Sequence, residues 1–157
     1  MFSQSFRQTL FVRVWSFLKI PALAFIRPTV VELNERRTVV RVRLRRRTRN
    51  HLSSMYFGVL CAGADCAGGL IAMLLIRNGG NRVSLIFKDF HAEFLRRPQG
   101  DVDFVCEDGE AIAALVQRVT ESGEREHIPV TVRAFVPSES RDEPVARFTL
   151  TLSLKRR

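Results

Sequence analysis

The longest hydrophobic run in the chain lies near its middle and predicts a buried helix. Residues 55–76 are almost wholly apolar, with Asp65 as the one charge. Glycine recurs at every fifth position of this run: Gly58, Gly63 and Gly68. A helix that is apolar on all sides and rich in small residues is buried all round, with other elements packed close against it. We therefore predict a central helix wrapped by a sheet, with Ser53 or Ser54 capping its start.

The same run is also long enough, at about 22 residues, to span a membrane. A carboxylate near the midpoint costs roughly 2.5–3.5 kcal/mol on insertion scales. Four glycines and the amphipathic strands that follow are further features that a lone membrane helix does not need. The core helix is therefore the favoured interpretation.

Around the central run the pattern changes to the two-residue period of half-buried strands. The clearest case is residues 38–47, where valine and leucine alternate with arginine. The predicted strands cover residues 29–33, 38–47, 82–96, 101–107, 125–136 and 144–155, and a short amphipathic helix covers residues 110–121. This order predicts an α+β fold, with a curved antiparallel sheet wrapped around a long central helix.

A second apolar segment, residues 10–26, precedes the first strand. Three polar residues interrupt it at three-residue spacing: Arg13, Ser16 and Lys19. On a helix they form one narrow polar stripe opposite a wide apolar face. Pro21 and Pro28 are expected to kink or end this helix. The favoured interpretation is a helix docked on the domain's own core or on a dimer partner, and peripheral contact with a lipid surface is the alternative.

The chain is long enough for one main core, and we divide it into an N-terminal amphipathic helix over residues 1–28 and a domain over residues 29–157. Its net charge is +9, and 22 of its 25 cations are arginine. This balance favours an anionic partner: nucleic acid, a membrane surface or a phosphate-bearing small molecule. Eight arginines lie within residues 36–49. They form either a solvated sheet face or a phosphate-binding edge, and spacing leaves both interpretations open.

Cysteine usage favours a cytoplasmic protein without a metal centre. Cys61, Cys66 and Cys106 are odd in number and match no metal-ligand spacing, and two of them lie in the apolar run. They are typical of reduced core residues. We expect no metal and no cofactor. Nucleic acid is the least favoured partner, because no aromatic residues interleave with the arginines and no binding motif is present.

The region from Asn50 to Asp65 resembles the hotdog-fold thioesterase superfamily, and most of all its phenylacetyl-CoA thioesterase-like members. In that family an Asn opens the loop before the central helix, His-Gly-Gly begins the helix, and Ala-Asp lies one to two turns further on. The matching residues here, without gaps, are Asn50, Tyr56-Phe57-Gly58 and Ala64-Asp65, and Phe94-Leu95-Arg96-Arg97-Pro98 resembles a family strand ending in Phe-Leu-Arg-Pro. The resemblance covers about residues 29–155. The N-terminal helix and the short helix over residues 110–121 are additions to the family pattern, and they are similar to helices of small bacterial hotdog proteins of unassigned function.

This resemblance implies a thioesterase that acts on an acyl-CoA or acyl-carrier thioester as a homodimer or a dimer of dimers. His51, Tyr56 and Phe57 are then the candidate substrate-binding residues. Tyr56 and Phe57 depart from the family's His-Gly, and Phe57 puts a bulky ring where the thioester approaches. The alternative is therefore a non-catalytic hotdog protein that binds an acyl group or lipid.

The residues themselves suggest how catalysis could occur. Unpaired amides of Phe57 and Gly58 at the helix start can hold a carbonyl oxygen as negative charge develops on it. Asp65, whose burial favours the neutral form, suits a general base, although it could instead be a structural carboxylate at a dimer seam. Seven residues separate Gly58 from Asp65, or about 10.5 Å along a helix. One copy cannot bring both onto one carbon, so the mechanism needs a symmetric dimer, with Asn50 orienting the water or the substrate carbonyl.

Overall fold

The structure is a computed structural model that describes residues 4–80 and 82–157. Six strands form one antiparallel sheet in the order β1-β2-β4-β5-β6-β3. The strands are β1 Thr29–Leu33, β2 Thr38–Val42, β3 Val83–Phe94, β4 Val102–Cys106, β5 Glu126–Phe135 and β6 Ala146–Arg156. The helices are α1 Gln4–Lys19, α2 Pro21–Ile26, α3 Phe57–Asn78 and α4 Gly109–Ser122.

Helix α3 is the predicted central helix. It packs against five of the six strands, β2 to β6, and its middle is buried. A Cβ added at Gly63 would overlap the ring of Phe104, which is fully buried on β4. Glycine at this position therefore lets the sheet approach the helix closely, as the small-residue pattern predicts.

Among the described helices, α3 also has the length and mean hydropathy (2.1) of a membrane span. However, 61% of its most apolar 18-residue stretch is buried within the domain. That burial fits the core helix favoured by the sequence.

The predicted serine caps of α3 are wrong. The helix begins at Phe57, and its N-cap is Tyr56, which makes no side-chain capping bond. Ser54 is buried and donates from its hydroxyl to Asn50 Oδ1, at 3.2 Å. Ser53 takes a positive φ of 59° within the preceding loop. Both serines are therefore used to close the loop rather than to start the helix.

Strand β2 ends five residues earlier than predicted, at Val42. The amide of Leu44 donates to Asp101 Oδ1 at 2.9 Å, and the Thr48 hydroxyl donates to the carbonyl of Arg43 at 2.8 Å. These side chains pair with the backbone groups that a longer strand would offer to its neighbour. The other strands and α4 match their predicted ranges to within two residues.

The N-terminal segment is helical and broken at Pro21, as predicted, but its orientation differs from the expectation. Two residues of the polar stripe face the domain, since Ser16 is fully buried and Arg13 half-buried, whereas Lys19 is exposed. Much of the apolar side faces outward, with Phe17 73% and Leu18 69% exposed, while Val12 is buried in the core. Residues 1–3 of the predicted segment lie outside the described residues, and the proposed boundary at residue 28 stays a prediction.

Helix α1 docks in this way because it covers the edge of the sheet at β1. Thr9 Oγ1 accepts from the amide of Val30 at 2.9 Å and donates to its carbonyl at 3.3 Å. Gln8 donates to the carbonyl of Leu33, at 3.0 Å. Arg13 donates to the carbonyl of Pro28, at 3.0 Å. Side chains of α1 thus pair with backbone groups that an edge strand leaves free.

Candidate functional site

A pocket of about 530 Å³ opens at the N-terminus of α3. We call it the helix-start pocket. Its walls include four of the predicted site residues and the segment after β3: Asn50, His51, Tyr56, Phe57, Leu95, Arg96, Arg97 and Pro98. The fold therefore brings together the loop and the Phe-Leu-Arg-Arg-Pro segment that the sequence comparison singled out.

Asn50 organises the loop that forms one wall of this pocket. Its Oδ1 accepts from the amide of Leu52 at 2.9 Å and from the amide of Ser54 at 3.2 Å. The amide of Met55 donates to the carbonyl of Pro98 at 2.9 Å, which ties the loop to the opposite wall. The Asn50 side-chain oxygen is therefore already used, and its NH₂ group, which makes no hydrogen bond within residues 4–80 and 82–157, is the end that can donate to a ligand.

The amides of Phe57 and Gly58 make no hydrogen bond to any described residue. This is expected at the first turn of a helix, where the amides have no carbonyl partner. The next two amides, of Val59 and Leu60, both donate to the carbonyl of Tyr56, at 2.9 and 3.1 Å. The helix dipole adds partial positive charge at the same place. This end of α3 can therefore stabilise an oxyanion.

Aromatic rings cover the helix start. The Tyr56 and Phe57 ring centroids lie 4.8 Å apart, edge to face, and Phe57 lies 6.2 Å from Phe94. A Cβ built on Gly58 would come within 2.6 Å of Cε1 of Tyr56. Glycine at this position therefore allows the phenol ring to lie against the first helical turn, and the predicted departure from His-Gly gives the pocket an aromatic wall.

Asp65 lies apart from this pocket. It is half-buried on α3 and lines a separate cavity of about 50 Å³ with Val12, Trp15 and Ser16 of α1 and Phe87 of β3. Burial raises the pKa of its carboxyl group, and Asp65 makes no hydrogen bond with the described part of the chain. Within one copy, the structure does not bring Asp65 to the helix start, in line with the spacing argument.

Sequence reasoning missed the contribution of α1 to this small cavity. The Ser16 hydroxyl is buried without a hydrogen-bond partner in the described residues, and it lines the same cavity as Asp65. The available signal was the polar stripe itself, since polar residues on a mostly apolar helix can mark the side that has polar partners.

The cysteines do not offer a reactive thiolate. Burial raises the pKa of Cys66 to about 12 and that of Cys106 to about 11, so both thiols stay protonated at neutral pH. Within the ranges that the structure describes, no group of three His, Cys, Asp or Glu side chains could hold a metal ion. Asp65 is therefore the titratable group most suited to chemistry in the apolar interior.

The arginine row divides into two parts. Arg41 forms a two-pronged ion pair with Asp103, at 2.6 and 2.8 Å, and Arg37 pairs with Glu32 at 2.7 Å. These arginines belong to a solvated sheet face. The later arginines of the row form no ion pair to a described residue: Arg46, Arg47 and Arg49. Arg97, which lies outside residues 36–49 and lines the helix-start pocket, also forms none.

The sequence was compared with models of protein families. A family model described as "Domain of unknown function (DUF4442)" matches residues 7–154. No curated protein matches the sequence significantly.

Three solved structures share the fold. A protein of unknown function from Chlorobaculum tepidum has a TM-score of 0.82 at 12% identity, covering 98% of this chain and 97% of its own. A protein of unknown function from Pseudomonas aeruginosa, described as a probable thioesterase, has a TM-score of 0.76 at 22% identity, with coverage of 95% and 96%. A thioesterase from Haemophilus influenzae has a TM-score of 0.66 at 15% identity, with coverage of 90% and 87%. The fold is therefore the thioesterase-like hotdog fold that the sequence resemblance implied.

Proposed function

Because this chain belongs to the family described as a domain of unknown function, DUF4442, and has a thioesterase-like fold, we propose that it hydrolyses an acyl-CoA or acyl-carrier thioester. The observation that carries the proposal is the pair of unbonded amides, Phe57 and Gly58, at the edge of an aromatic-walled pocket of about 530 Å³. Such donors lower the free energy of the transition state by binding the negative charge that develops on the carbonyl oxygen.

A homodimer is part of this proposal. Strand β3 is an edge strand of 12 residues with exposed apolar side chains, Ile86, Phe90 and Phe94. A long apolar edge invites pairing with another strand. In the proposed dimer, β3 pairs antiparallel with β3 of a second copy, and Asp65 of one copy acts with the helix start of the other. Further pairing into a tetramer is not required by the chemistry.

The reaction then proceeds in two proton transfers. Ionised Asp65 takes a proton from water as the water oxygen attacks the thioester carbon. The Phe57 and Gly58 amides of the other copy donate to the oxyanion, and the Asn50 NH₂ group orients the water or the substrate carbonyl. The C–S bond breaks as the tetrahedral intermediate collapses. Asp65 returns the proton to the leaving thiolate, which gives a carboxylic acid and a thiol.

The arginines near the pocket suit the phosphates of the carrier. Arg97 lines the pocket without an ion pair to a described residue, and Arg96 lines it while pairing with Glu143. The bridge between Arg49 and Met55 places Arg49 in the adjoining loop. Guanidinium groups bind phosphate through charge-assisted, often two-pronged hydrogen bonds. His51 is exposed at the same pocket and supports a substrate contact.

The second candidate is a non-catalytic protein that binds an acyl group or lipid in the same pocket. It is favoured by the rings of Tyr56 and Phe57, which give the helix start an apolar surface where the family has His-Gly. Turnover separates the two candidates, because binding alone releases no thiol.

The test measures thiol release from short, long and aromatic acyl-CoAs. Asp65→Asn should abolish hydrolysis while the protein stays dimeric. Phe57→Pro should lower kcat by about 10²–10³, because it removes one amide donor. Proline is favoured at the first helical position, and the extended ψ of 136° at Tyr56 suits a following proline. The matched control, Phe57→Ala, keeps the amide and removes only the ring, so its kcat should stay near that of the wild type.

No release from any acyl-CoA would favour the binding function. Unchanged hydrolysis by Asp65→Asn would rule out the mechanism proposed here. Equal loss in Phe57→Pro and Phe57→Ala would assign the effect to the ring rather than to the amide.

A further inference from the structure

Helix α1 presents a continuous apolar strip to solvent. Leu10, Val14, Phe17 and Leu18 are each more than half exposed. At 3.6 residues per turn they fall within an arc of about 100°. We call these four residues the outer strip. Phe25 of α2 is also more than half exposed, so apolar exposure continues along the chain beyond α1.

The apolar area that α1 and α2 expose reaches a few hundred Å². An aromatic side chain carries roughly 150–250 Å². At 73% and 58% exposure, Phe17 and Phe25 alone expose on the order of 200–300 Å², before the three aliphatic residues are added. Contiguous apolar patches of a few hundred Å² commonly mark an interaction site.

The outward orientation of the strip is built into the docking of α1. Thr9 and Arg13 hold the opposite side of the helix against β1 and the segment before it. The outer strip therefore cannot turn toward the domain without breaking these bonds. The β3 edge, which the proposed homodimer uses, is at the other end of the strand order from β1, although Phe87 of β3 and Trp15 of α1 line the same cavity.

The segment that carries the outer strip has charges of one sign. Residues 1–28 contain four cations and no Asp or Glu: Arg7, Arg13, Lys19 and Arg27. Arg7 falls inside the arc of the outer strip, between Val14 and Leu18, at 100° per residue. Arg13 and Lys19 lie outside this arc, and Arg13 is held against the segment before β1.

We propose that the outer strip binds the surface of an anionic lipid bilayer, with α1 lying in the plane of the interface. An apolar helical face among basic residues is the pattern of interfacial helices, whose apolar residues enter the acyl boundary while cations meet anionic headgroups. A second copy of the chain is the poorer occupant, because face-to-face pairing would bring two cationic segments together with no carboxylate from residues 1–28 between them.

The experiment measures co-sedimentation of the full chain with vesicles of phosphatidylcholine alone and of phosphatidylcholine mixed with phosphatidylglycerol. The wild type should sediment with the mixed vesicles and lose most of that binding at high salt. The double variant Phe17→Ser, Leu18→Ser should bind at least about tenfold more weakly. Arg7→Glu should weaken binding to the mixed vesicles in the same direction.

The matched control is Val31→Ser. It removes an exposed apolar side chain from β1, where Glu32 and Arg37 are its neighbours in an outer-face pocket, and it should bind vesicles like the wild type. Circular dichroism and light scattering check that each variant keeps its fold and size.

Absence of binding to the mixed vesicles, or equal binding by the double variant and the wild type, would overturn the proposal. So would a change of oligomeric state in the double variant without vesicle binding by the wild type, because that outcome assigns the strip to a second copy. None of these outcomes depends on hydrolysis, so the lipid proposal and the thioesterase proposal fail or stand separately.

Discussion

At the scale of single residues, Asp65 sets the link between pH and stability. Burial raises the pKa of its carboxyl group in the folded state, whereas the pKa of an aspartate in the unfolded chain is about 3.9. Between these two values the unfolded chain has released the proton and the folded chain still holds it. Stability therefore falls as pH rises through this window, and the loss is complete above the folded pKa.

We expect Asp65→Asn to raise Tm at neutral pH, because asparagine has no charge to bury. The difference in Tm between the variant and the wild type should be smallest near about pH 4 and grow as the pH rises. Differential scanning calorimetry from about pH 4 to pH 8 measures it. A difference that stays constant with pH would contradict the raised pKa.

The sequence identified the residues of the helix-start pocket but assigned some of them the wrong partners. Asn50, Tyr56 and Phe57 could be found because their spacing matches a family pattern. Ser53 and Ser54 could not be placed, because a serine before a helix can cap it or close a loop, and the choice depends on Asn50 accepting three hydrogen bonds within the loop. Ser16 was missed because no local pattern shows that it shares a cavity with Asp65.

At the scale of elements, α3 and the sheet fit closely at one glycine and loosely at another. A Cβ at Gly63 would overlap the ring of Phe104, which is fully buried. A Cβ at Gly69, on the same helix, would meet the ring of Phe87 at an ordinary 3.7 Å. Close packing therefore requires glycine at position 63 but leaves room for a methyl group at position 69.

Gly63→Ala should destabilise the protein by about 1–3 kcal/mol, because the extra methyl group overpacks the core. Gly69→Ala, as the matched control, should be neutral or stabilising by up to about 1 kcal/mol, since alanine is the better helix former. Denaturant unfolding measures both values. A similar loss in the two variants would show that crowding at Phe104 is not the cause.

The α3 helix and the strands could be predicted because buried positions are apolar and recur with the period of the element. The side of α1 that faces the domain could not be predicted. A lone amphipathic helix normally buries its apolar side, and here the free edge of β1 needs polar partners that Gln8, Thr9 and Arg13 supply. That need arises from strand order, which no segment of the sequence shows on its own.

At the scale of the whole molecule, the proposed site is shared between two copies. Asp65 and the helix start lie in different cavities of one chain. A site completed across a symmetric dimer contains Asp65 from one copy and the Phe57 amide from the other.

Two inactive variants should therefore restore each other. When Asp65→Asn and Phe57→Pro are mixed in equal amounts and subunits exchange, half of the dimers are mixed and each has one intact site. Thiol release should then recover to about one quarter of the wild-type value. Each variant exchanged with itself is the control. Recovery no greater than the sum of the two controls would show that each copy carries its own complete site.

The two edges of the sheet differ in a way that limits growth. Side chains of α1 occupy the edge at β1, while the edge at β3 pairs with no other strand of the described residues. A sheet with two open edges can add strands from both sides and extend into a filament. When β3 pairs with β3 of a second copy, the open edges of both copies are covered. Only the β1 edges then remain, and side chains of α1 cover them. In the proposed dimer, α1 therefore acts as a terminator of polymerisation, because no open sheet edge is left for a third copy.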